Sequence, residues 1–368
     1  MRGRRLFPRG KRFPFIFFKN KNMLRSEIKQ KIIEPAFYKE TGRCERVLDY
    51  DEAIREALRL ALKHDDRVFI MGQGVDDPEG MFGVTKNLHL EFGRERVFDT
   101  PLSEGALTGV SVGAALAGMR PVYFHNRPDF LLLAMDQLVN HAAKWSYMFG
   151  GAANVPLVVW ACIGRGWGSA AQHSQALQGL FMHIPGLKLV MPSTCYDAKG
   201  LMLAAIKDQN PVLILDHRFN FNYQGLVPPG PYTVPIGKGI VRRKGRDVTI
   251  VAVSHLVIDA YEAAQEAAED GIEAEVIDPR TLRPLDEDII LNSVAKTGRL
   301  IIVDCGWKTG GITAEIGAMV AEKGFSYLKS PVKRLACPDL PTPAACNLEE
   351  AYYIGRKEIK KAILEIAR

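Results

Sequence analysis

Short, continuous apolar segments alternate with helix-like segments along most of this 368-residue chain. Apolar runs bounded by Gly, Pro or Asn are typical of parallel strands buried on both faces. They lie at residues 67–71, 155–161, 187–191, 211–215, 247–253, 274–277 and 300–303. Apolar residues at helical spacing occur at residues 51–64, where Asp51 is placed to cap, and at 131–149, 197–208, 257–269, 310–323 and 348–367. The alternation predicts an α/β fold with mostly parallel sheets.

A Pro/Gly-rich stretch at residues 224–239 interrupts this alternation and is the best candidate for a domain boundary. The predicted organisation has two successive three-layer α/β domains. Its segments are an N-terminal extension over 1–46, a first domain over 47–225, a linker over 226–240 and a second domain over 241–368. Each domain is long enough to bury its own core.

The basic character of the chain is concentrated at one end. Residues 1–22 contain eight Lys and Arg and no acid, whereas the whole chain has a net charge of +6, so the remainder carries about −2. This distribution gives no electrostatic case for binding nucleic acid. A disordered tail, or a true start at Met23, is favoured over a transit peptide, since the segment has no serine and its two prolines disfavour an amphipathic helix.

The cysteine and hydropathy patterns disfavour three further classes: disulfide-bonded, zinc-binding and membrane-spanning proteins. None of the six cysteines has Cys-x-x-Cys spacing, which favours reduced thiols in a cytoplasmic protein over a disulfide framework or a zinc site. No apolar run approaches the ~18 residues of a membrane span. We therefore expect neither a membrane nor a nucleic acid as a partner.

Two polar residues, Glu104 and His173, are candidates for a catalytic role. Glu104 begins a segment of small residues, 105–118, that is typical of a helix packed closely on a neighbour. Its carboxyl could be an ordinary helix-start acid, or a group whose pKa is raised by apolar surroundings. His173 follows a glycine-rich stretch and could be a proton shuttle, or an exposed or capping residue.

The glycine-rich segment at residues 306–311 follows a predicted strand. It could meet an anion at a helix start, although a plain strand-to-helix turn explains it equally well. Neither Gly-x-G-x-x-Gly after a strand nor Gly-x-x-x-x-Gly-Lys-Ser/Thr is present.

Six ordered blocks give the sequence a specific resemblance: DTPLSEGALTGVSVGAALAGMRPVYF, AMDQLVNHAAK, SAAQHSQAL, HIPGLKLVMPST, DAKGLMLAAIKDQNPV and IDPRTLRPLDEDII. Together they resemble the beta subunit of the thiamine-diphosphate-dependent 2-oxo-acid dehydrogenase decarboxylating component, of the pyruvate, branched-chain or acetoin type. The resemblance covers roughly residues 47 to 367. It implies a pyrimidine-type α/β domain followed by a transketolase C-terminal-type domain.

The resemblance implies roles for four residues in the first domain. Glu104 would hydrogen-bond the aminopyrimidine ring nitrogen and pass a proton to it, so that the thiazolium carbon can lose its own. Phe130 would stack on the aminopyrimidine, and Leu102 would contact the cofactor. His173 would donate a proton during acyl transfer to a lipoyl group. The retention of Glu104, Phe130 and His173 together argues against a beta-like subunit kept only for assembly.

The resemblance also implies a structural potassium ion, held largely by backbone carbonyls. The matching positions are Leu157, Ala205, Ile206, Asp208 and Asn210. Oxygen ligands suit such a cation. A plain turn at the helix end is the alternative explanation of the Asp-x-Asn pair.

A missing motif is equally informative. The Gly-Asp-Gly…Asn segment that holds magnesium and the diphosphate in this superfamily is absent from the chain. The family pattern therefore implies an alpha subunit that supplies it, in an assembly of two alphas and two betas. A lipoyl acyltransferase is a further expected partner, and a small 2-oxo acid is the expected substrate.

Departures from the family pattern surround the expected substrate pocket. Phe124 stands where an acid is common, Trp160 where an arginine is common, and residues 125–129 form an unusual polar cluster. Arg127 or Arg165 could pair with a substrate carboxylate or a partner surface. The alternative function is accordingly a transketolase-like subunit that transfers a two-carbon unit to a non-lipoyl acceptor.

Overall fold

The computed structural model describes residues 31–32, 44–166 and 168–368. The basic segment at residues 1–22, within the predicted N-terminal extension, lies outside the described residues, as does Trp167. No helix in the described part of the chain is long and apolar enough to cross a membrane. The six cysteines all lie in this part and carry free thiols.

The first half of the chain alternates strands and helices. Its described strands are β1 (Lys31–Ile32), β2 (Val47–Asp49), β3 (Val68–Gly72), β4 (Val97–Phe98), β5 (Arg120–His125), β6 (Val158–Ile163), β7 (Lys188–Val190), β8 (Val212–His217) and β9 (Tyr223–Leu226). Its described α-helices are α1 (Tyr50–His64), α2 (Leu88–Phe92), α3 (Glu104–Leu116), α4 (Trp145–Met148), α5 (Gln178–Met182) and α6 (Cys195–Lys207). Short 3-10 helices lie at Met81–Gly83, Pro128–Ala134 and Arg218–Asn222, and a π-helix lies at Gln137–Ala142.

The second half continues the alternation. Its strands are β10 (Ile240–Arg243), β11 (Val248–Ala252), β12 (Ala274–Asp278), β13 (Thr281–Arg283), β14 (Leu300–Trp307) and β15 (Lys333–Cys337). Its α-helices are α7 (Leu256–Ala268), α8 (Glu287–Thr297), α9 (Ile312–Lys323), α10 (Cys346–Tyr352) and α11 (Arg356–Ala367), and a 3-10 turn lies at Phe325–Tyr327.

Seven strands form the larger sheet, in the order β13-β7-β8-β6-β5-β3-β4. All neighbours are parallel except β13 and β7. Its central strands β3, β5, β6 and β8 are buried along their whole length, which explains why their sequences are continuously apolar. Helices α1 and α6 pack on one face, and α3 packs on the other.

The smaller sheet has the order β10-β12-β11-β14-β15, and only β10 is antiparallel to its neighbour. Helices α7 and α11 pack on each other beside this sheet. A third, three-stranded sheet joins β1, β9 and β2. The prediction of two α/β domains with mostly parallel sheets is confirmed.

The two halves are joined by more than the linker. Strand β13 belongs to the second half but pairs with β7 at the edge of the first sheet. Four buried charged side chains also meet across the junction, as Arg242 contacts Asp197 and Asp278, and Arg280 contacts Asp197. The first half of the chain is therefore held in a fixed orientation relative to the second.

Three local predictions need correction. The first helix begins at Tyr50, so Asp51 lies inside its first turn and does not cap it, whereas Glu52 accepts a hydrogen bond from the Asp49 backbone N–H at 3.1 Å. The helix predicted over 131–149 is a succession of 3-10, π and α segments. The helix predicted over 348–367 is two helices, because Gly355 starts a new one.

Candidate functional site

The carboxyl ends of parallel strands β4, β5 and β6 lead into the segments that carry Glu104, Phe130 and His173. Ligands in open α/β sheets bind outside this edge. The fold thus brings three separately predicted residues toward one region.

Glu104 is the first residue of α3 and is half-buried. A carboxylate is favoured at this position because the helix dipole is positive there. Its charge acts on two side chains at the end of β5, Tyr123 and His125. Burial, and secondarily the charge of Glu104, raises the pKa of Tyr123 to about 12. Glu104 therefore faces the sheet edge and not bulk water alone.

His125 belongs to the polar cluster at residues 125–129 and lies at the end of β5. Its side chain is 2% exposed, and neither ring nitrogen has a hydrogen-bond partner among the described residues. Burial lowers its pKa to about 4, although Glu104 partly opposes this, so the imidazole is neutral near pH 7. An unpaired buried imidazole is costly, and a polar ligand beside Glu104 would satisfy it.

Phe130 and His173 contact each other directly. Their ring centroids lie 5.3 Å apart, with the planes at 77°, in an edge-to-face arrangement. Phe130 is half-buried on the 3-10 helix that follows β5, whereas the His173 side chain is exposed. These two predicted residues therefore form one continuous surface, on which the imidazole of His173 is exposed to solvent.

The small residues of α3 explain how Glu104 reaches this surface. A Cβ on Gly105 would lie 3.0 Å from the Leu133 carbonyl oxygen, and one on Gly109 would lie 3.4 Å from the Gln137 side chain. The glycine face of α3 thus approaches the 3-10 and π-helices closely. Thr108, Ser111 and other residues of α3 are buried. The close packing predicted from composition involves these helices as well as the sheet.

Arg127 holds the backbone at His173. Its Nη1 donates to the His173 carbonyl oxygen at 2.9 Å. Gly164 leaves room for this contact, since a Cβ there would lie 2.0 Å from the same oxygen and 2.2 Å from Arg127 Nη1. The Gln175 N–H donates to Asp129 Oδ1 at 3.0 Å. The polar cluster at residues 125–129 therefore shapes the His173 loop.

The other departures from the family pattern lie elsewhere. Phe124 and Trp160 are cross-strand partners with ring centroids 4.8 Å apart, and both are buried in the core that includes α1 and α6. Tyr123 and His125 alternate with them and point to the opposite face. The expectation that Phe124 and Trp160 border the substrate pocket is wrong. Arg165 lies between the aromatic rings of Phe219 and Tyr353.

In the glycine-rich turn at residues 306–311, Thr309 already donates its hydrogen bonds to a carboxylate of the protein. Asp339 accepts hydrogen bonds from the Thr309 N–H at 3.1 Å and from Thr309 Oγ1 at 2.6 Å. A bound anion would have to compete with this carboxylate. The geometry favours the plain strand-to-helix turn.

The five predicted potassium-site residues lie where α6 ends and where β6 and β8 begin. Arg120 Nη1 donates to the carbonyl oxygens of Ile206 and Asp208 at 2.7 and 3.1 Å. The Asp208 carboxylate pairs with Lys188 and accepts from the Asn210 N–H at 2.9 Å. Among described residues no group of three or more His, Cys, Asp or Glu could hold a metal, so a cation would need backbone oxygens.

Known proteins share this two-domain fold. The transketolase pyrimidine binding domain model matches residues 46–224, and the transketolase C-terminal domain model matches residues 237–359. A solved structure titled "Split gene transketolase, inactive beta4 tetramer" has a similar fold, with a TM-score of 0.70 and 20% identity. It covers 87% of this chain and 98% of its own.

Three curated relatives are similar over most of the chain. The acetoin:2,6-dichlorophenolindophenol oxidoreductase subunit beta of Bacillus subtilis is 46% identical, covering 87% of this chain and 97% of its own. The B. subtilis 2-oxoisovalerate dehydrogenase subunit beta is 40% identical, covering 87% and 99%. The Rickettsia felis pyruvate dehydrogenase E1 component subunit beta is 41% identical, covering 86% and 97%. The chain therefore belongs to the family of 2-oxo-acid dehydrogenase E1 beta subunits.

Proposed function

We propose that this chain is the beta subunit of a thiamine-diphosphate-dependent 2-oxo-acid dehydrogenase. With an alpha subunit it would decarboxylate a small 2-oxo acid and transfer the acyl group to a lipoyl group. The observation that supports this best is that parallel strands of one sheet lead into the segments of Glu104, Phe130 and His173 at one sheet edge, where the Phe130 and His173 rings are in contact. The relatives are named as dehydrogenase or oxidoreductase subunits, which favours this function over the transketolase-like alternative.

The residues at the sheet edge fit the cofactor's aminopyrimidine. Glu104 offers a carboxyl that can hold and release a proton at a ring nitrogen, and the orphaned His125 nitrogens offer further polar contacts. Phe130 would flank the ring, and Leu102, whose side chain is 78% exposed in the single chain, would be covered. When bound, thiamine diphosphate would supply a nucleophilic carbon and an electron sink.

The protein's part is orientation and proton movement. Glu104 would move a proton to and from the aminopyrimidine nitrogen. The exposed His173 imidazole would donate a proton when the acyl group passes to the lipoyl disulfide. Because Arg127 and Phe130 fix the position of His173 from two sides, its proton would be delivered from a defined direction.

An alpha subunit would complete the pocket and hold magnesium and the diphosphate. The diphosphate-binding motif is absent from the sequence. The two helical segments that carry Glu104 and Phe130 also carry exposed apolar side chains, with Val110 57% and Leu133 65% exposed in the single chain. Exposed apolar surface of this kind marks interaction sites. An assembly of two alphas and two betas, a lipoyl acyltransferase partner and a cytoplasmic location all belong to this proposal.

Cofactor binding tests the proposal. We expect the purified chain alone to bind thiamine diphosphate with magnesium at least about 100-fold more weakly than the complex with its alpha subunit, a difference of about 2.8 kcal/mol. Isothermal titration calorimetry of both samples measures this. Tight, magnesium-dependent binding by the lone chain would remove the need for a partner.

The potassium site is a separate part of the proposal. Carbonyl oxygens of Leu157, Ala205, Ile206 and Asn210 would bind the ion, together with Asp208. Arg120 already donates to the Ile206 carbonyl, and Lys188 already pairs with the Asp208 carboxylate. A potassium ion would therefore bind the lone pairs of these oxygens that the two side chains leave free. The site would be structural, since it lies near the amino ends of β6 and β8, at the opposite edge of the sheet from Glu104.

Salt exchange provides the corresponding prediction. Replacing NaCl by KCl at equal ionic strength should stabilise the complex, by about 2.7 kcal/mol when potassium is 100-fold above its dissociation constant. Thermal unfolding measures the shift. Asp208→Asn should reduce it, whereas Asp270→Asn on the surface should not. Identical melting in the two salts would argue against the site.

A further inference from the structure

The loop that leads to His173 is fastened to the C-terminal domain. The Arg165 guanidinium carbon lies 4.0 Å from the ring centroid of Phe219 and 3.9 Å from that of Tyr353. Phe219 belongs to the first domain and Tyr353 to the second, so the guanidinium is sandwiched at their junction. Arg218 Nη1 donates to the Arg165 carbonyl oxygen at 2.7 Å. Arg165 is therefore committed to this junction and is not placed to bind a substrate carboxylate.

The next residues of the loop make further contacts with the second domain. The Gly166 N–H donates to Glu349 Oε1 at 2.5 Å, and Glu349 is only 7% exposed. A Cβ on Gly168 would lie 3.5 Å from the Ala344 carbonyl oxygen. One short stretch around α10, residues 344–353, thus contacts Arg165 and Gly166 and runs close to Gly168.

The far end of the same loop is held by the first domain. The His173 N–H donates to the Ala170 carbonyl oxygen at 3.3 Å, which closes a turn, and the His173 carbonyl accepts from Arg127. The loop is thus a strap that is held at Arg165 by both domains and at His173 by the first domain. At this far end the His173 side chain is exposed, and its ring contacts Phe130.

We propose that Tyr353 and Glu349 are positioning residues that set the His173 ring from the C-terminal domain. They act through Arg165 and Gly166 and touch neither substrate nor cofactor. This inference rests on the proposed function, because it assigns a use to the placement of His173. A displaced strap would misalign the imidazole, and small misplacements of a proton donor are costly.

The test uses the reconstituted alpha–beta complex with separate assays of decarboxylation and of acyl transfer to a lipoyl domain. Tyr353→Leu removes the ring that faces Arg165, whereas Tyr353→Phe keeps it. We expect Tyr353→Leu to slow acyl transfer about tenfold, equal to about 1.4 kcal/mol of transition-state stabilisation. Decarboxylation and the KM for the 2-oxo acid should change little, and Tyr353→Phe should retain normal transfer.

A double-mutant cycle separates positioning from general destabilisation. His173→Ala should itself slow acyl transfer by about 100-fold or more. If Tyr353 acts through His173, adding Tyr353→Leu to His173→Ala should cost nothing further. Equal losses in both backgrounds would overturn the inference. Tyr327→Leu, in the same domain but outside the sandwich, is the matched control.

Glu349 gives an independent variant should Tyr353→Leu fail to fold. Glu349→Ala removes the acceptor for the Gly166 N–H and should reproduce the selective loss, whereas Glu349→Gln keeps an oxygen there and should rescue it. Normal acyl transfer by Glu349→Ala would sink the inference while leaving the proposed function intact. A wild-type complex that neither decarboxylates nor transfers would instead refute the proposed function.

Discussion

Replacing Glu104 by glutamine should lower turnover of the alpha–beta complex by about 10²–10⁴-fold, the range attributed to a positioned acid–base group. Glutamine has nearly the same shape and can still form hydrogen bonds, but it cannot take up or release the proton. Because Glu104 is half-buried at the start of α3 and makes no ion pair among the described residues, the fold should survive.

The measurement is steady-state turnover of a 2-oxo acid by the reconstituted complex, with circular dichroism to check folding. Glu95→Gln is the matched control, since Glu95 is exposed and lies before the site in the same domain. It should behave as wild type. Full activity of the Glu104→Gln complex would remove this residue from the mechanism.

Arg242→Met should destabilise the protein by about 3–5 kcal/mol, the cost of leaving buried charges without a partner. The Arg242 side chain is completely buried and contacts both Asp197 and Asp278, the latter at 2.8 Å. Burial alone would raise the pKa of Asp197, but Arg242 and Arg280 hold it below its ordinary value. Methionine fills similar space but leaves the carboxylates with one cation fewer.

Chemical denaturation followed by circular dichroism measures this loss. Arg246→Met makes the same chemical change on an arginine whose side chain is 78% exposed, and it should have little effect. An unfolding midpoint of Arg242→Met equal to that of the control would show that the buried network contributes nothing to joining the domains.

Much of the fold could be predicted because it depends on local pattern. Strands such as β6 and β8 are buried on both faces, and this leaves a continuous apolar run in the sequence. Strand β13 gave no such signal, since it has three residues and pairs with β7 of the other domain. Pairing between distant segments is a tertiary property that local composition does not record.

The helix predicted over residues 131–149 failed for a related reason. Apolar spacing indicates a helical segment but does not distinguish α from 3-10 or π geometry. Here the chain passes through all three, and the glycine face of α3 approaches the 3-10 and π segments. Likewise Gly355 interrupts the last predicted helix, with its N–H donating to Glu358 at 3.0 Å.

Some residues of the candidate site could likewise be predicted from the sequence, and others only from the tertiary structure. Glu104 and His173 were visible in the sequence, but only the family resemblance chose between their functional and ordinary interpretations. His125 was noted without a role, because what marks it is burial without a hydrogen-bond partner. For Arg165 the sequence leaves a substrate carboxylate or a partner surface open, since its aromatic neighbours Phe219 and Tyr353 are far away in the sequence.

The most direct test of proton transfer by Glu104 follows the thiazolium proton itself. Thiamine diphosphate bound to the alpha–beta complex is mixed with deuterium oxide, quenched at successive times and examined by proton NMR. Exchange at the thiazolium carbon should be about 10²–10⁴-fold slower with Glu104→Gln than with wild type. Equal exchange rates in the two complexes would show that this carboxyl does not move the proton that activates the cofactor.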